Sequence, residues 1–204
     1  MRQCVPILLS LPSLGWFATF VSRHCAHRKQ YIQRVKNNDS RELFAPGTIT
    51  PPADAPVIVA DGLRTPENVG ALIRLAANVG CRLVCLVGAG EMKESKIRKT
   101  ACMAWDYVEL ARVADAGGLS AVVPAGYEYV AVETTPDARN IYASDMPRRV
   151  ALVVGSEVHG VSDGVLALCP RRVFIPMTGP DTSMNVSQAA AVALFEWVRR
   201  FASA

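Results

Sequence analysis

The 204-residue chain has no paired-cysteine spacing, no unbroken apolar run of membrane-spanning length, no internal repeat and, over residues 1–38, no acidic side chain. Its six cysteines, at 4, 25, 81, 85, 102 and 169, form no C-x-x-C. A chain of this length with such sparse cysteines is not a disulfide scaffold, and it predicts a reducing compartment with free, mostly buried thiols. Residues 4–22 are uncharged, but Pro6, Pro12 and Gly15 interrupt them and Ser10, Ser13, Thr19 and Ser22 dilute them. That stretch barely reaches the roughly 20 residues a membrane helix needs, and Arg23 and Arg28 follow where a secretory cleavage site would lie. A membrane or export role is thereby disfavoured, and a cytoplasmic protein is expected. Gly88-Ala89-Gly90 lacks the third glycine of a dinucleotide fingerprint, which excludes a nucleotide-dependent oxidoreductase. His24, Cys25 and His27 lack a second ligand pair, so no metal site is expected.

Half the residues are hydrophobic and a fifth are charged, enough apolar material for one well-filled core. The formal charge of +4 is unevenly placed. Arg2, Arg23, Arg28, Lys29, Arg34 and Lys36 all lie within residues 1–38, which leaves 16 of the 22 basic residues to face all 18 acids, a remainder of −2. An acid-free basic arm of this kind is a nucleic-acid contact, an organelle-targeting segment or an upstream stretch from a misplaced start. Residues 28–43 are predicted helical, and Ala45-Pro46-Gly47 with Pro51-Pro52 makes a linker. The division expected is therefore an arm and linker over 1–56 and a folded domain over 57–204.

From Val57 onward, short apolar runs alternate with helical patterns, the signature of an α/β fold with a mainly parallel sheet flanked by helices. Strands are expected over 57–60, 82–87, 127–132, 150–154 and 172–175, with a weaker one near 107–110. Ligands of such sheets bind beyond the carboxyl ends of the strands, so the loops there carry the chemistry. After the first strand, Thr65 is placed to cap a helix, Pro66 suits its first position and Gly80 ends it. Asn68 and Arg74 are the polar residues that an apolar helix does not need. Because Gly70 precedes Arg74 by four residues, the guanidinium is expected to cross a bare backbone toward Asn68, although a solvated surface arginine fits the pattern as well. After 150–154, Gly155-Ser156-Glu157-Val158-His159-Gly160 sets a carboxylate between glycines, which suits a ligand loop or a plain turn. Ser183-Met184-Asn185 opens a last helix whose apolar stripe includes Trp197 and Phe201. Capping alone would account for its polar residues.

In this order the stretches are specific. P-E-N-V-G-A-L-I-R-L-A at 66–76, G-S-E-V-H-G at 155–160 with I-P-M at 175–177, and S-M-N-V-S-Q-A at 183–189 resemble the three motifs of the SpoU, or TrmH-like, branch of the SPOUT RNA methyltransferases. The resemblance implies an α/β domain with a C-terminal trefoil knot that binds S-adenosylmethionine, works as a homodimer without a metal, and methylates a ribose 2′-hydroxyl in structured RNA, either tRNA or rRNA. A catalytically weak RNA-binding member acting as a scaffold is the alternative. Carried over, the motifs place Arg74, Asn68, Glu157 and Asn185 at the catalytic centre, with Arg74 as electrostatic activator. They place Thr134, Gly155, Ile175, Met177, Ser183 and Met184 around the cofactor. Trp197 and Phe201 are expected to help form the subunit interface or the core.

Overall fold

A computed structural model describes residues 54–180 and 182–202, all within the compact unit Pro46–Ala204. The uncharged segment 4–22, the basic arm and the His24, Cys25 and His27 group lie outside the described residues. Strands β1 (Val57–Asp61), β2 (Leu83–Val87), β3 (Glu109–Val113), β4 (Glu128–Val132), β5 (Arg139–Asn140), β6 (Val150–Val154) and β7 (Arg171–Phe174) build one sheet. Their order is β3-β2-β1-β6-β4-β7-β5, and every neighbouring pair is parallel. Helices α1 (Pro66–Val79), α2 (Glu94–Ala101), α3 (Asp163–Leu166) and α4 (Val186–Phe201) accompany it, with 3₁₀ turns at Cys102–Asp106 and Ala116–Ala121.

β1 and β6 are buried along their whole length, and they pair with each other at the centre of the sheet. Strands covered on both faces read as continuous Val/Ile/Leu runs, which is why these two were evident in the sequence. Alternation still decides which layer each side chain joins. Ile58, Ala60, Val84, Leu86, Leu152 and Val154 pack under α1, α2 and α4. Val57, Val59, Cys85, Val87, Ala151 and Val153 pack on the opposite side with Leu119 and Val165.

The structure refines the expected elements in three places. The weak strand near 107–110 is displaced to Glu109–Val113 and completes an edge of the sheet. β5 was not anticipated, since two polar residues joined to β7 carry no periodicity. Trp197 belongs to the core: its ring is fully buried and tilted against Phe201 at 5.5 Å, and its indole N–H donates to the Arg148 carbonyl at 2.9 Å. The aromatic that α4 turns outward is instead Phe195, half exposed. Among the described residues the cysteines are mostly buried free thiols: Cys81, Cys85 and Cys169 are buried and Cys102 is exposed. Burial pushes Cys81 and Cys169 up to about 12 and Cys85 to about 11, which leaves them inert as nucleophiles. Among the described residues no helix is long and apolar enough to cross a membrane.

Candidate active site

The carboxyl ends of β4, β6 and β7 open onto a cleft of about 210 Å³. Thr134, Gly155, Ile175, Met177, Ser183 and Met184, the six residues expected around a cofactor, all line it, together with Glu133 and Glu157. No lysine or arginine is among its lining residues. Two carboxylates over an apolar floor of Val132, Val154, Ile175 and the two methionines suit a ligand that is part flat and apolar, part cationic.

The loop after β6 is built by backbone geometry. Ser156 and Gly160 form an antiparallel bridge, with Ser156 N–H donating to the Gly160 carbonyl at 3.1 Å and Gly160 N–H to the Ser156 carbonyl at 2.9 Å. The Ser156 hydroxyl oxygen accepts from His159 N–H at 3.1 Å. Gly155 is required by this closure: a Cβ there would stand 2.1 Å from the Gly160 carbonyl carbon and 2.3 Å from the Val161 nitrogen. The loop turns back so tightly that Glu157 is forced outward at its tip, exposed.

Across the mouth of the cleft three polar side chains from distant parts of the chain meet. Asn68, in the first turn of α1, donates through Nδ2 to the Glu157 carboxylate. Its Oδ1 accepts from Asn185 Nδ2 at 3.3 Å. Asn185 also caps α4, its Oδ1 accepting from Ser187 N–H at 3.0 Å and the Ser187 hydroxyl at 2.7 Å. Capping and site-building are thus two uses of one amide: the oxygen serves the helix and the nitrogen serves Asn68.

Arg74 is not brought into this group. It is exposed, and among the described residues it makes no hydrogen bond or ion pair with Asn68, Glu157 or Asn185. Six residues of helix carry it about 9 Å further along the axis and round to another side. The route over Gly70 is also closed. A Cβ at Gly70 would meet Thr100 Cβ at 2.6 Å and the Ile97 carbonyl oxygen at 2.7 Å, so the glycine exists to let α2 touch α1. Thr65 likewise caps differently from expectation: its side chain makes no cap bond, while its carbonyl accepts from Asn68 and Val69 N–H at 3.1 and 3.2 Å.

Two acids absent from the expected site hold its loops. Glu133, just past β4, accepts from Thr134 N–H through Oε1 and from Val161 N–H through Oε2, both at 2.9 Å. Gly160 at φ 67° makes room for that carboxylate, since its Cβ would lie 2.4 Å from Oε2. Asp61, buried at the end of β1, accepts from Ser162 N–H at 2.7 Å. The segment 155–162 is therefore clamped from both neighbouring strands, and Glu157 is positioned by it. An acid directly after a buried apolar strand was the available cue.

The model of the SpoU rRNA Methylase family matches residues 55–195. The chain is 30 % identical over 214 residues to the 23S rRNA (guanosine-2′-O-)-methyltransferase RlmB of Haemophilus influenzae, a match covering 98 % of this chain and 85 % of that one. It is 28 % identical to the RlmB of Escherichia coli, with 98 % and 86 % covered. Among solved structures, the SpoU methyltransferase AviRb from Streptomyces viridochromogenes, in complex with the cofactor AdoMet, superposes with a TM-score of 0.65 at 27 % identity, over 72 % of this chain and 58 % of that one. The TrmH/SpoU tRNA modifying enzyme of A. aeolicus superposes with a TM-score of 0.65 at 26 % identity, over 74 % and 77 %. The parallel sheet, the cleft beyond β4, β6 and β7 and the match over 55–195 converge, and the chain belongs to the SpoU rRNA methylase family.

Proposed function

We propose that the protein methylates a ribose 2′-hydroxyl of structured RNA with S-adenosylmethionine as methyl donor, acting in the cytoplasm as a homodimer. The observation that carries this reading is the coincidence of a carboxylate-bearing, cation-free cleft with a polar trio at its mouth. A sulfonium cofactor matches the first and a ribose the second. Thr134, Gly155, Ile175, Met177, Ser183 and Met184 would hold the cofactor, and a trefoil knot of the kind the family resemblance implies would bring their loops together. When bound, S-adenosylmethionine supplies a methyl group on a positively charged sulfur.

The chain's own residues do the rest. Asn68, Glu157 and Asn185 orient the ribose, since amide and carboxylate groups fix a hydroxyl from both donor and acceptor sides. Activation requires that the developing oxyanion be stabilised and its proton leave. A guanidinium is a donor only, so Arg74, which stands outside the trio, would act as a fixed positive charge that attracts an RNA phosphate to this end of the protein, and that phosphate would take the hydroxyl proton as the methyl group passes from sulfur to oxygen. The names of the curated relatives make guanosine in 23S rRNA the first substrate to test, and tRNA the second.

The test is calorimetric titration with S-adenosylmethionine, followed by transfer of tritiated methyl to purified rRNA and to bulk tRNA. Binding with transfer to either RNA supports the enzyme. Binding of both partners without transfer supports the scaffold reading instead.

A further inference from the structure

Helix α2 lies against the start of α1, and its exposed side is unusually basic. Lys93, Lys96, Arg98 and Lys99 are all exposed, with Ile97 and Ala101 buried beneath them. The Gly70 contact fixes this helix within a turn of Asn68, and Lys96 Nζ stands 3.9 Å from Glu67, the residue next to Asn68 in α1. Both members of that pair are more than half exposed, which makes it a weak tether. Glu94 pairs with Arg98, its Oε1 accepting from Nε at 2.7 Å and lying 2.6 Å from Nη2. Lys93 and Lys99 therefore have no anionic partner among the described residues.

Arg98 is held flat. Its Cζ lies 4.6 Å from the centroid of the Trp105 ring, and Glu94 grips it from the side. Trp105 follows a turn in which the chain leaves α2 at Cys102 with φ 53° and ψ −132°, a positive-φ conformation that non-glycine residues rarely adopt, and passes at once into the 3₁₀ segment Cys102–Asp106. Strain of this kind persists where the surroundings impose it, and it marks sites worth testing. The guanidinium carbon lies over the indole, and the side chain remains more than half exposed. A guanidinium plane presented in this way is a stacking surface for an unpaired base, and the lysines beside it match backbone phosphates.

We propose that α2 and the Trp105-backed Arg98 form a docking ridge for the RNA beside the target nucleotide, with Lys93, Lys96 and Lys99 contacting phosphates and Arg98 stacking on a base. This rests on the reading of the cleft as an RNA ribose methylation site. It adds a place where the substrate is gripped by residues outside the three motif stretches. The ridge and the clamped loop divide the work: one fixes the strand, the other the reacting ribose.

The experiment uses the full-length chain, 23S rRNA as substrate and a fluorescein-labelled hairpin RNA with an unpaired loop as binding probe. In the triple variant Lys93→Gln, Lys96→Gln, Lys99→Gln, the slope of log affinity against log salt should fall by about 2.1 to 2.7, at roughly 0.7 to 0.9 per lost phosphate contact. Arg98→Lys keeps the charge and loses the plane. It should weaken probe binding at least about fivefold, the lower end of a base-stacking contribution, with the salt slope unchanged. Both variants should keep the wild-type melting temperature and KM for S-adenosylmethionine. Wild-type probe affinity and salt slope in the triple variant overturn the ridge, and wild-type affinity in Arg98→Lys overturns the stacking. If wild-type protein transfers no methyl group to rRNA or tRNA, the reading of the cleft fails first, and that result is separable because it does not involve α2. Failure of the wild-type protein to bind the probe overturns the ridge as well.

Discussion

Replacing Gly155 by alanine tests whether the loop after β6 is closed as tightly as the structure shows. Two effects oppose each other. Glycine at this position has no positive φ, so alanine gains the usual 0.4 to 1 kcal/mol, roughly, from a less disordered unfolded chain. Against it, the new Cβ would stand 2.1 Å from the Gly160 carbonyl carbon, 2.3 Å from its oxygen and 2.3 Å from the Val161 nitrogen. All three are backbone atoms, so no side-chain rotation relieves the overlap. Overpacking costs about 1 to 3 kcal/mol, and an all-backbone collision belongs at the upper end. The net loss expected is about 2 kcal/mol, or about 4 to 8 °C in melting temperature for a domain of this size. If the loop yields instead of the domain, the Ser156–Gly160 bridge opens and Glu157 leaves Asn68. Melting and calorimetric binding of S-adenosylmethionine should therefore be measured together, and at least one must fall. Alanine at 155 with wild-type stability and wild-type cofactor affinity would refute the described closure.

Glu133→Ala leaves the Thr134 and Val161 N–H groups without their acceptor, and because the site is only partly buried the cost should be about 1 kcal/mol, accompanied by a higher KM for S-adenosylmethionine. Arg74→Ala, at an exposed helical position, should melt like wild type and bind cofactor normally while transfer falls on the order of a hundredfold. The hydrogen bond from Arg199, aided by Arg200, holds the buried Glu196 carboxyl down at about 2, below its ordinary 4.5, so its contribution is complete above 4.5 and is lost as pH falls from there toward 2. Acid unfolding monitored by circular dichroism should show that loss in wild type and lack it in Glu196→Gln. Deleting residues 1–38 should weaken RNA binding and flatten its salt dependence while leaving cofactor affinity unchanged, as filter binding at several salt concentrations will show.

The parts of this protein that the sequence made legible are those where one physical signal dominates. β1 and β6 are unbroken runs of apolar side chains buried on both sides, and no other element type fits their length. The cleft was legible through the motif resemblance, which pointed to Thr134, Gly155, Ile175 and Met184, and the structure shows the first three just past the ends of β4, β6 and β7. What remained hidden depends on partners far away in the chain. Asp61 bonds to a backbone N–H 101 residues distant and Glu133 to one 28 residues distant, and neither leaves a periodic trace. Gly70 misled for a related reason: a missing side chain reads equally as an open path and as a packing contact, and only the approach of Thr100 distinguishes them. Trp197 at helical spacing was compatible with core or interface until its indole was seen donating to Arg148.

The most direct measurement of the central claim is where the methyl group goes. Purified protein, tritiated S-adenosylmethionine and unmodified 23S rRNA or tRNA are incubated, and the RNA is digested to nucleosides and resolved by mass spectrometry. Label is expected in a 2′-O-methylnucleoside, with the phosphodiester that follows it resistant to alkali because the hydroxyl needed for cleavage is blocked. Wild-type protein should give this product, and Asn68→Ala should give little of it. Label on a base, leaving the ribose free and the bond alkali-labile, would contradict the account.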